Sequence, residues 1–466
     1  MAQTVRDGVQ RLDQDGVAVL SIDNPPINAI NVTVRAALYR MLDAVEGDAG
    51  IVGVVIASAG RLFSGGGDLR EIGQAAPAGG PTMTELAHRI ETFAKPVAVA
   101  IRGRAIGGGI LTSLACHARL ATPDASIALP EVRLGFVPGA GGTQRLPRLV
   151  GIDPALEMIA LAKSLDAPTA RAAGFFDAIV ERPEDLVAAA AGRVRAIARG
   201  DLPWRRTAAL AVPIDAKDDP RRSADRYAGL ADLAFPGRHA PQAAIGLVLS
   251  AVDLEFAEGL MREREVFERL SKTSETRALL HLFFARSALG RSEPPSDHPA
   301  LSAPGAIRLV TSSRRPHAGL VEIVCTGNVD EGQLQAARDE AKATRRVPVV
   351  VRGGSVIERL DAAYRAAAET LEQQGFSRGT ISTAAAAEGL LPPFADAGLE
   401  AGVVEPRIAV SLLHAFVEEA RACLAAAMVP SAGVIDIIAV EACGFPATRG
   451  GPLFYADTLK APAHVH

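Results

Sequence analysis

The chain has 466 residues, 48% of them hydrophobic, and a formal net charge of −4. That length exceeds one core of ordinary size, so two or three domains are expected, and the near-neutral charge excludes a general attraction to nucleic acid or to an anionic membrane. Aromatic residues make up only 4%, with a single Trp, which predicts cores of Ala, Leu, Val and Ile rather than aromatic clusters.

Residues 8–22, GVQRLDQDGVAVLSI, read as a β-hairpin turning at Asp15-Gly16. NPPINAIN (24–31) breaks the second strand. Val34, Leu38, Met41, Leu42 and Val45 fall at helical spacing and predict a helix over 33–47. The apolar runs 50–59, 96–101 and 118–123 predict buried strands, and their alternation with helices argues for an α/β layer fold. From 181 to 290 the pattern is helical and more charged, and 256–288 reads as a helix. Pro, Ser and Gly dominate 290–306, a linker composition. IRLV, GLVEIV and PVVV then read as strands, and 360–375 and 407–428 as amphipathic helices.

Cys116, Cys325, Cys423 and Cys443 show no CxxC or similar ligand spacing, which predicts free thiols in a reducing compartment and no metal site. The first residues, MAQTVRDGVQ, carry no secretory signal, the last, APAHVH, are no peroxisomal address, and no apolar stretch reaches membrane-spanning length. A soluble cytoplasmic protein is the expectation.

Two glycine-rich turns each follow a strand candidate and open a helix: RLFSGGGDLREI (61–72) and GRAIGGGILTSLACHARLA (103–121). Glycine lets a ligand atom approach the backbone, and the first N–H groups of a helix lack internal partners. Two such turns can aim one N–H each at a single developing oxyanion. Beside them stands ALPEVRLGFVPGAGGTQRLPRLVG (128–151), whose Glu131 is set among Leu129, Leu134 and Phe136. Burial among such neighbours raises a carboxyl's pKa toward the working range of a general base.

NPPINAI, FSGGGDL, KPVAVAIRGRAIGGGI and PEVRLGFVPGAGGTQRLPRLVG occur in the order and spacing of the crotonase (enoyl-CoA hydratase/isomerase) superfamily, which the chain therefore resembles over its first 180 or so residues. The resemblance implies an α/β spiral of ββα repeats. It implies an oxyanion hole made by the Gly67 and Gly108 N–H groups, a catalytic carboxylate at Glu131, and a CoA adenine pocket lined by Asn28, Ala29, Ser64, Asp68 and Leu69. The substrate is then an acyl-CoA thioester, with no further cofactor. Hydratases of this family carry a second glutamate two residues after the GGG; here that position, twenty before Glu131, is Leu111. One carboxylate favours a proton shuttle, from C2 to C4 of a 3-enoyl-CoA, and so an isomerase. A one-carboxylate hydratase or hydratase-lyase is the alternative, and a non-catalytic acyl-CoA-binding subunit a further one. Thr112 and Ser113 are the nearest polar substitutes for the missing glutamate, and His117 reads as structural. The acyl group is expected to be selected by a Gly/Ala/Pro-rich loop around 73–90.

The rest of the chain resembles the multifunctional β-oxidation enzymes that join a crotonase domain to a 3-hydroxyacyl-CoA dehydrogenase, through HLFFARS, VPVVVRGGSVIERLDAAYRAAAETLEQQG and GFPATRGGPLFYADT. No GxGxxG follows a strand, so an NAD site is not expected. Of the dehydrogenase residues, Glu322 keeps the glutamate, the partner histidine falls on Val310, and the asparagine before Arg359 is Glu358. The resulting division is a crotonase-like catalytic domain (1–180), a helical connecting region (181–289), a linker with the remnant of a nucleotide-binding domain (290–345), and a mainly α-helical domain (346–466) resembling the dehydrogenase C-terminal domain. A monomer is expected from the fused architecture, with a trimer as the alternative.

Overall fold

The computed structural model describes residues 7–74, 80–214, 219–289, 305–400 and 405–460. The chain forms two compact units, Met1–Thr273 and Ser274–His466, with the division inside the stretch read as a connecting region.

In the first unit, β1 (Val9–Gln14) and β2 (Val17–Ile22) pair antiparallel with Gln14 opposite Val17. Asp15 and Gly16 both adopt positive φ, 47° and 74°, the two-residue turn whose twist matches the flanking strands. Helix α1 (Val32–Glu46) starts where the Asn31 side chain accepts from Val34 N–H. β3 (Gly53–Ser58) pairs parallel with β2. Helix α2 (Met83–Glu91) begins at a capping box in which Thr82 and Glu85 satisfy each other's backbone N–H groups. The expected selectivity loop over 73–90 therefore gives way to a helix at its C-terminal end, with Leu86, Ala87 and Ile90 on its buried side; residues 75–79 of that loop lie outside the described ones.

The chain continues through β4 (Val97–Ile101), β5 (Arg104–Ile106), α3 (Gly108–Leu114), β6 (Ala118–Ala121), β7 (Ser126–Ala128), α4 (Gly142–Val150), α5 (Ile152–Ile159), β8 (Ser164–Asp166), α6 (Ala167–Ala172), β9 (Ala178–Ile179) and α7 (Leu186–Arg199). The main sheet has the order β1-β2-β3-β4-β6-β9, parallel from β2 onward, and β5, β7 and β8 form a second, smaller sheet. Alternate residues of four strands, Val17, Val19, Val55, Ala57, Ala98, Ala100, Ala118 and Leu120, pack under Leu186, Ala190, Val194 and Ile197 of α7. The intervening residues, including Leu20, Ile56, Val99 and Ile101, are also buried. Both faces are covered, as a parallel sheet requires, which is why these strands read as unbroken apolar runs. Helices α8 (Pro220–Ala234), α9 (His239–Asp253) and α10 (Phe256–Ser271) complete the unit.

The stretch 256–288 is two helices, not one. α10 ends at Lys272, where Ser271 and Thr273 hydroxyls bond back to the carbonyls of Glu268 and Leu270; the polar run SKTS competes with the helix backbone there.

The second unit opens with α11 (Ser274–Ala288) and continues with β10 (Ala306–Val310), β11 (Leu320–Thr326), α12 (Glu331–Ala343) and β12 (Val347–Arg352). These strands form a sheet in that order, β10–β11 antiparallel and β11–β12 parallel. Most of the linker read at 290–306 lies outside the described residues. Five helices follow: α13 (Val356–Gln373), α14 (Arg378–Ala387), α15 (Pro406–Ala425), α16 (Ala432–Glu441) and α17 (Pro452–Lys460). The core of this unit departs from the aliphatic expectation. Phe416 lies 4.8 Å from Tyr364 and 5.5 Å from Phe445 between ring centroids; a low average over 466 residues does not exclude one local aromatic cluster. No helix among the described residues is long and apolar enough to cross a membrane, and all four cysteines are free and buried.

Candidate active site

The two glycine turns are held together by backbone hydrogen bonds. Phe63 and Ser64 N–H donate to Arg104 C=O, and Ile106 N–H donates to Ser64 C=O, extending β5 by one bridge between Ser64 and Ala105. This brings the end of FSGGG alongside the start of GGGIL. Gly107, the N-cap of α3, has φ 48° and ψ −117°, a conformation a side chain would strain. Gly108 is the first residue of α3, and a Cβ built on it would stand 2.8 Å from the Gly67 nitrogen. The Gly67 and Gly108 amides are therefore neighbours, and neither has a hydrogen-bond acceptor among the described residues. Two adjacent N–H groups without partners can stabilise one oxyanion.

Glu131 begins a 3-10 turn, Glu131–Leu134, that follows β7. One carboxyl oxygen, Oε1, comes within 3.1 Å of the Cβ position of Gly107, so the acid overhangs the same turn. The other, Oε2, is buried with no hydrogen-bond partner. The residue is only 8% exposed, and loss of solvent pushes its pKa up to about 8; the Glu263 carboxylate adds to the rise, and a hydrogen bond from its own backbone N–H opposes it. An acid in that range can take and return a proton near neutrality.

Leu111, at the position of the missing glutamate, is buried on α3. Its Cδ2 lies 2.6 Å from the Cβ position of Gly142. Neither polar neighbour replaces a carboxylate: Thr112 and Ser113 hydroxyls donate to the Gly108 and Gly109 carbonyls within their own helix. His117 is fixed by two backbone groups, its Nδ1 accepting from Val97 N–H and its Nε2 facing Glu91 C=O, which makes Nε2 the protonated nitrogen. Burial lowers its pKa to about 4, so it stays neutral and structural.

Asn28, Ala29, Ser64, Asp68 and Leu69 come from two loops joined by Ile30 N–H to Gly66 C=O and Gly65 N–H to Ile27 C=O. The Asn28 side chain is committed to Ala59 C=O, Leu62 C=O and Asn24 N–H, and the Ser64 hydroxyl to Asn28 C=O and Gly66 N–H. Both shape the loops with their side chains. Asp68 caps the turn Leu69–Glu71 and pairs with Arg70, which holds its carboxyl below the usual range. Ala29 and Leu69 remain half-buried.

Two buried carboxylates near this site escape a sequence reading. Glu91 of α2 pairs with Arg145 of α4 at 2.6 Å, both nearly solvent-free. Glu263 of α10 accepts from Gly141 N–H (2.6 Å), Thr143 N–H (2.8 Å) and the Thr143 hydroxyl (2.7 Å), and so caps α4. The signal for Glu263 was its place on the buried stripe of α10, in line with Phe256, Gly259, Phe267 and Leu270. An acid at such a position needs partners.

In the second unit Val310 is paired directly opposite Glu322 across β10 and β11. Glu322 accepts from the Ser355 hydroxyl and Ile357 N–H at the start of α13, and burial raises its pKa to about 7. Glu358 is held by Arg308 through two bonds, 2.5 and 2.7 Å.

Residues 13–219 match the family model for enoyl-CoA hydratase/isomerase, and this region is a domain of that type. A glyoxysomal fatty acid beta-oxidation multifunctional protein from Cucumis sativus is 33% identical over 285 residues, 60% of this chain and 39% of that protein. A peroxisomal bifunctional enzyme from Danio rerio is 36% identical over 280 residues, 60% of this chain and 38% of that protein. The Homo sapiens peroxisomal bifunctional enzyme aligns at 31% identity over 338 residues, 72% of this chain and 44% of that protein. The chain thus spans about two-fifths of the length of the curated relatives it matches. Their names overturn the cytoplasmic expectation, since these relatives are peroxisomal or glyoxysomal. That expectation rested on finding no address in the sequence, and a missing signal carries no location.

Two outcomes follow from this geometry. Gly108→Ala places a methyl beside the Gly67 nitrogen; turnover should fall by about 10²- to 10³-fold with an unchanged far-UV circular dichroism spectrum. Glu131 with its raised pKa costs stability as pH rises above the unfolded value near 4.5 and up to about 8. Glu131→Gln should therefore gain thermal stability over the parent progressively across that window, by on the order of 4 kcal/mol at its top, and nothing below it. Equal melting temperatures at pH 8.5 would contradict the burial argument.

Proposed function

We propose that the N-terminal domain, as a member of the enoyl-CoA hydratase/isomerase family, isomerises a 3-enoyl-CoA to the conjugated 2-enoyl-CoA, with Glu131 as the only proton carrier. The observation that carries this reading is the pairing of one buried acid, overhanging Gly107, with a leucine where a second acid would be needed for water. In this mechanism the thioester oxygen accepts from Gly67 and Gly108 N–H. Glu131 removes a proton from C2, and the electron pair delocalises through the C3–C4 double bond and onto the thioester oxygen. The fixed amide dipoles lower the cost of that charge by about 3 kcal/mol each. Protonated Glu131 then delivers its proton to C4, and the double bond re-forms between C2 and C3. Atoms and charge balance without a cofactor. Hydration would need a second group to hold and orient water, and Leu111 offers none; Thr112 and Ser113 are engaged with helix carbonyls. The pocket of the adenine end is assigned to Ala29, Asp68 and Leu69, with Asn28 and Ser64 shaping its walls.

The second unit is read as the remnant of a dehydrogenase C-terminal region that performs no hydride transfer. Supporting this, the glutamate that would polarise a histidine faces Val310 and is employed as a helix cap, and Glu358 is neutralised by Arg308. An NAD requirement has no place in this reading.

The experiment is incubation with a 3-enoyl-CoA, following the absorbance of the conjugated thioester. Glu131→Gln should reduce the rate by about 10²- to 10⁴-fold. The rate constant kcat/KM should rise with pH through about 8, because the base works ionised. Leu111→Glu should introduce slow hydration of the 2-enoyl product. Rapid incorporation of solvent oxygen by the parent protein would replace this reading with the hydratase.

A further inference from the structure

Helix α10 lies outside the matched residues 13–219, yet it grips the loop that connects Glu131 to α4. Three contacts make the grip. The Glu263 carboxylate takes three donors at Gly141 and Thr143, using both of its oxygens. One turn further, Phe267 meets Phe136 edge-on at 5.8 Å, and its ring lies 3.5 Å from the Cβ position of Gly139. On the opposite side the loop rests on α3, with Leu111 against Gly142. The segment 135–143 is thereby packed between the helix that begins at the oxyanion amides and a helix contributed more than a hundred residues later.

We propose that Glu263 is a positioning residue for Glu131, clamping from α10 the loop that fixes where the catalytic carboxylate sits. The inference rests on the reading of Glu131 as the base. The Glu263 carboxylate, on a residue only 1% exposed, is too well occupied to touch substrate. Glu263 acts on Glu131 in two ways, by holding the loop and, above the pKa of about 7 to which burial raises it, by presenting a second negative charge within the same buried region. Arg145 of α4 is the cation nearest in effect to Glu263, and Arg145 is itself paired with Glu91 of α2. Glu263 is the charged group that acts on Glu131. Glu263 therefore makes ionisation of Glu131 harder and moves it toward the pH at which a proton can be both taken and returned. Leu111 packs against Gly142 and Glu263 accepts from the residues that flank it, so the one-carboxylate site still has a second buried acid nearby, supplied by a helix outside the matched residues.

The test is the pH profile of kcat/KM for 3-enoyl-CoA isomerisation. In Glu263→Gln the acid limb should move to lower pH by about one unit, and kcat should fall about tenfold through loosening of the loop. Phe267→Leu, which leaves the charge in place, should lower kcat with the limb unmoved. A merely structural Glu263 would lower kcat in both variants and shift neither limb, and that result overturns the proposal. If Glu263→Gln does not fold, Thr143→Val removes one donor that holds the Glu263 pKa down at about 7, so Glu263 carries less charge near neutrality and the limb should move in the same direction by less; an unmoved limb there overturns the proposal too. Glu131→Gln, measured in parallel, separates the two levels: full activity in that variant removes the reading of Glu131 itself, whereas loss of activity with an unshifted Glu263→Gln limb removes only the role of Glu263.

Discussion

Position 108 has room for no side chain, because a Cβ there would stand 2.8 Å from the Gly67 nitrogen. That one close approach requires two turns from different parts of the chain to be held at backbone distance. The bridge between Ser64 and Ala105 and the bonds from Phe63, Ser64 and Ile106 hold them. The turns in turn are placed by parallel strands β3 and β4, each ending on the same side of a sheet covered on both faces. In the proposed mechanism the layered packing of Val, Ala and Leu under α7 bears on chemistry through the position of two amide hydrogens. A charge that develops at such a point meets fixed dipoles that need not reorganise, which is the main advantage a protein site has over water.

Four buried glutamates show how the same residue type is put to different ends, and Glu91 is committed to its ion pair with Arg145. Glu263 and Glu322 each accept backbone and hydroxyl donors at the start of a helix, α4 and α13, and their oxygens are used structurally. Glu131 leaves its buried Oε2 without a partner. A buried carboxyl without donors is a cost in stability at neutral pH, and folded chains keep such costs where they serve function. The contrast sets Glu131 apart from its neighbours on physical grounds, independently of any motif. In the second unit Glu322 likewise holds the start of α13, and the residue paired opposite it on β10 is Val310.

Much of this was legible in the sequence. The hairpin at Asp15-Gly16 followed from the positive φ its turn demands, and the buried strands β3 and β4 from their short apolar runs. The closeness of the two glycine turns and of Glu131 was foreshadowed by motif order, and His117, expected to be structural because the family commonly has a structural polar residue there, is held by two backbone groups. What could not be read had specific causes. β5, β7, β8 and β9 are three residues or fewer, too short for any periodicity to register. Helix α2 was hidden in a Gly/Ala/Pro-rich segment because its start is set by the Thr82–Glu85 capping box rather than by composition. The aromatic core around Phe416 was averaged away by the composition of the whole chain. The Asn28 and Ser64 side chains bond to their own loops, a detail that motif matching cannot separate from ligand contact. Glu263 required knowing which face of α10 is buried and what lies opposite it.

The central claim is that the Gly67 and Gly108 amides converge on one carbonyl oxygen with Glu131 at the neighbouring carbon. The most direct measurement is a crystal structure with a non-isomerisable acyl-CoA thioester bound. The account predicts the thioester oxygen at roughly 2.7–3.1 Å from both amide nitrogens, with a Glu131 carboxyl oxygen facing C2 at about 3–3.5 Å. A thioester oxygen bound away from either amide, or an acyl chain passing on the far side of α3 from Glu131, would contradict it.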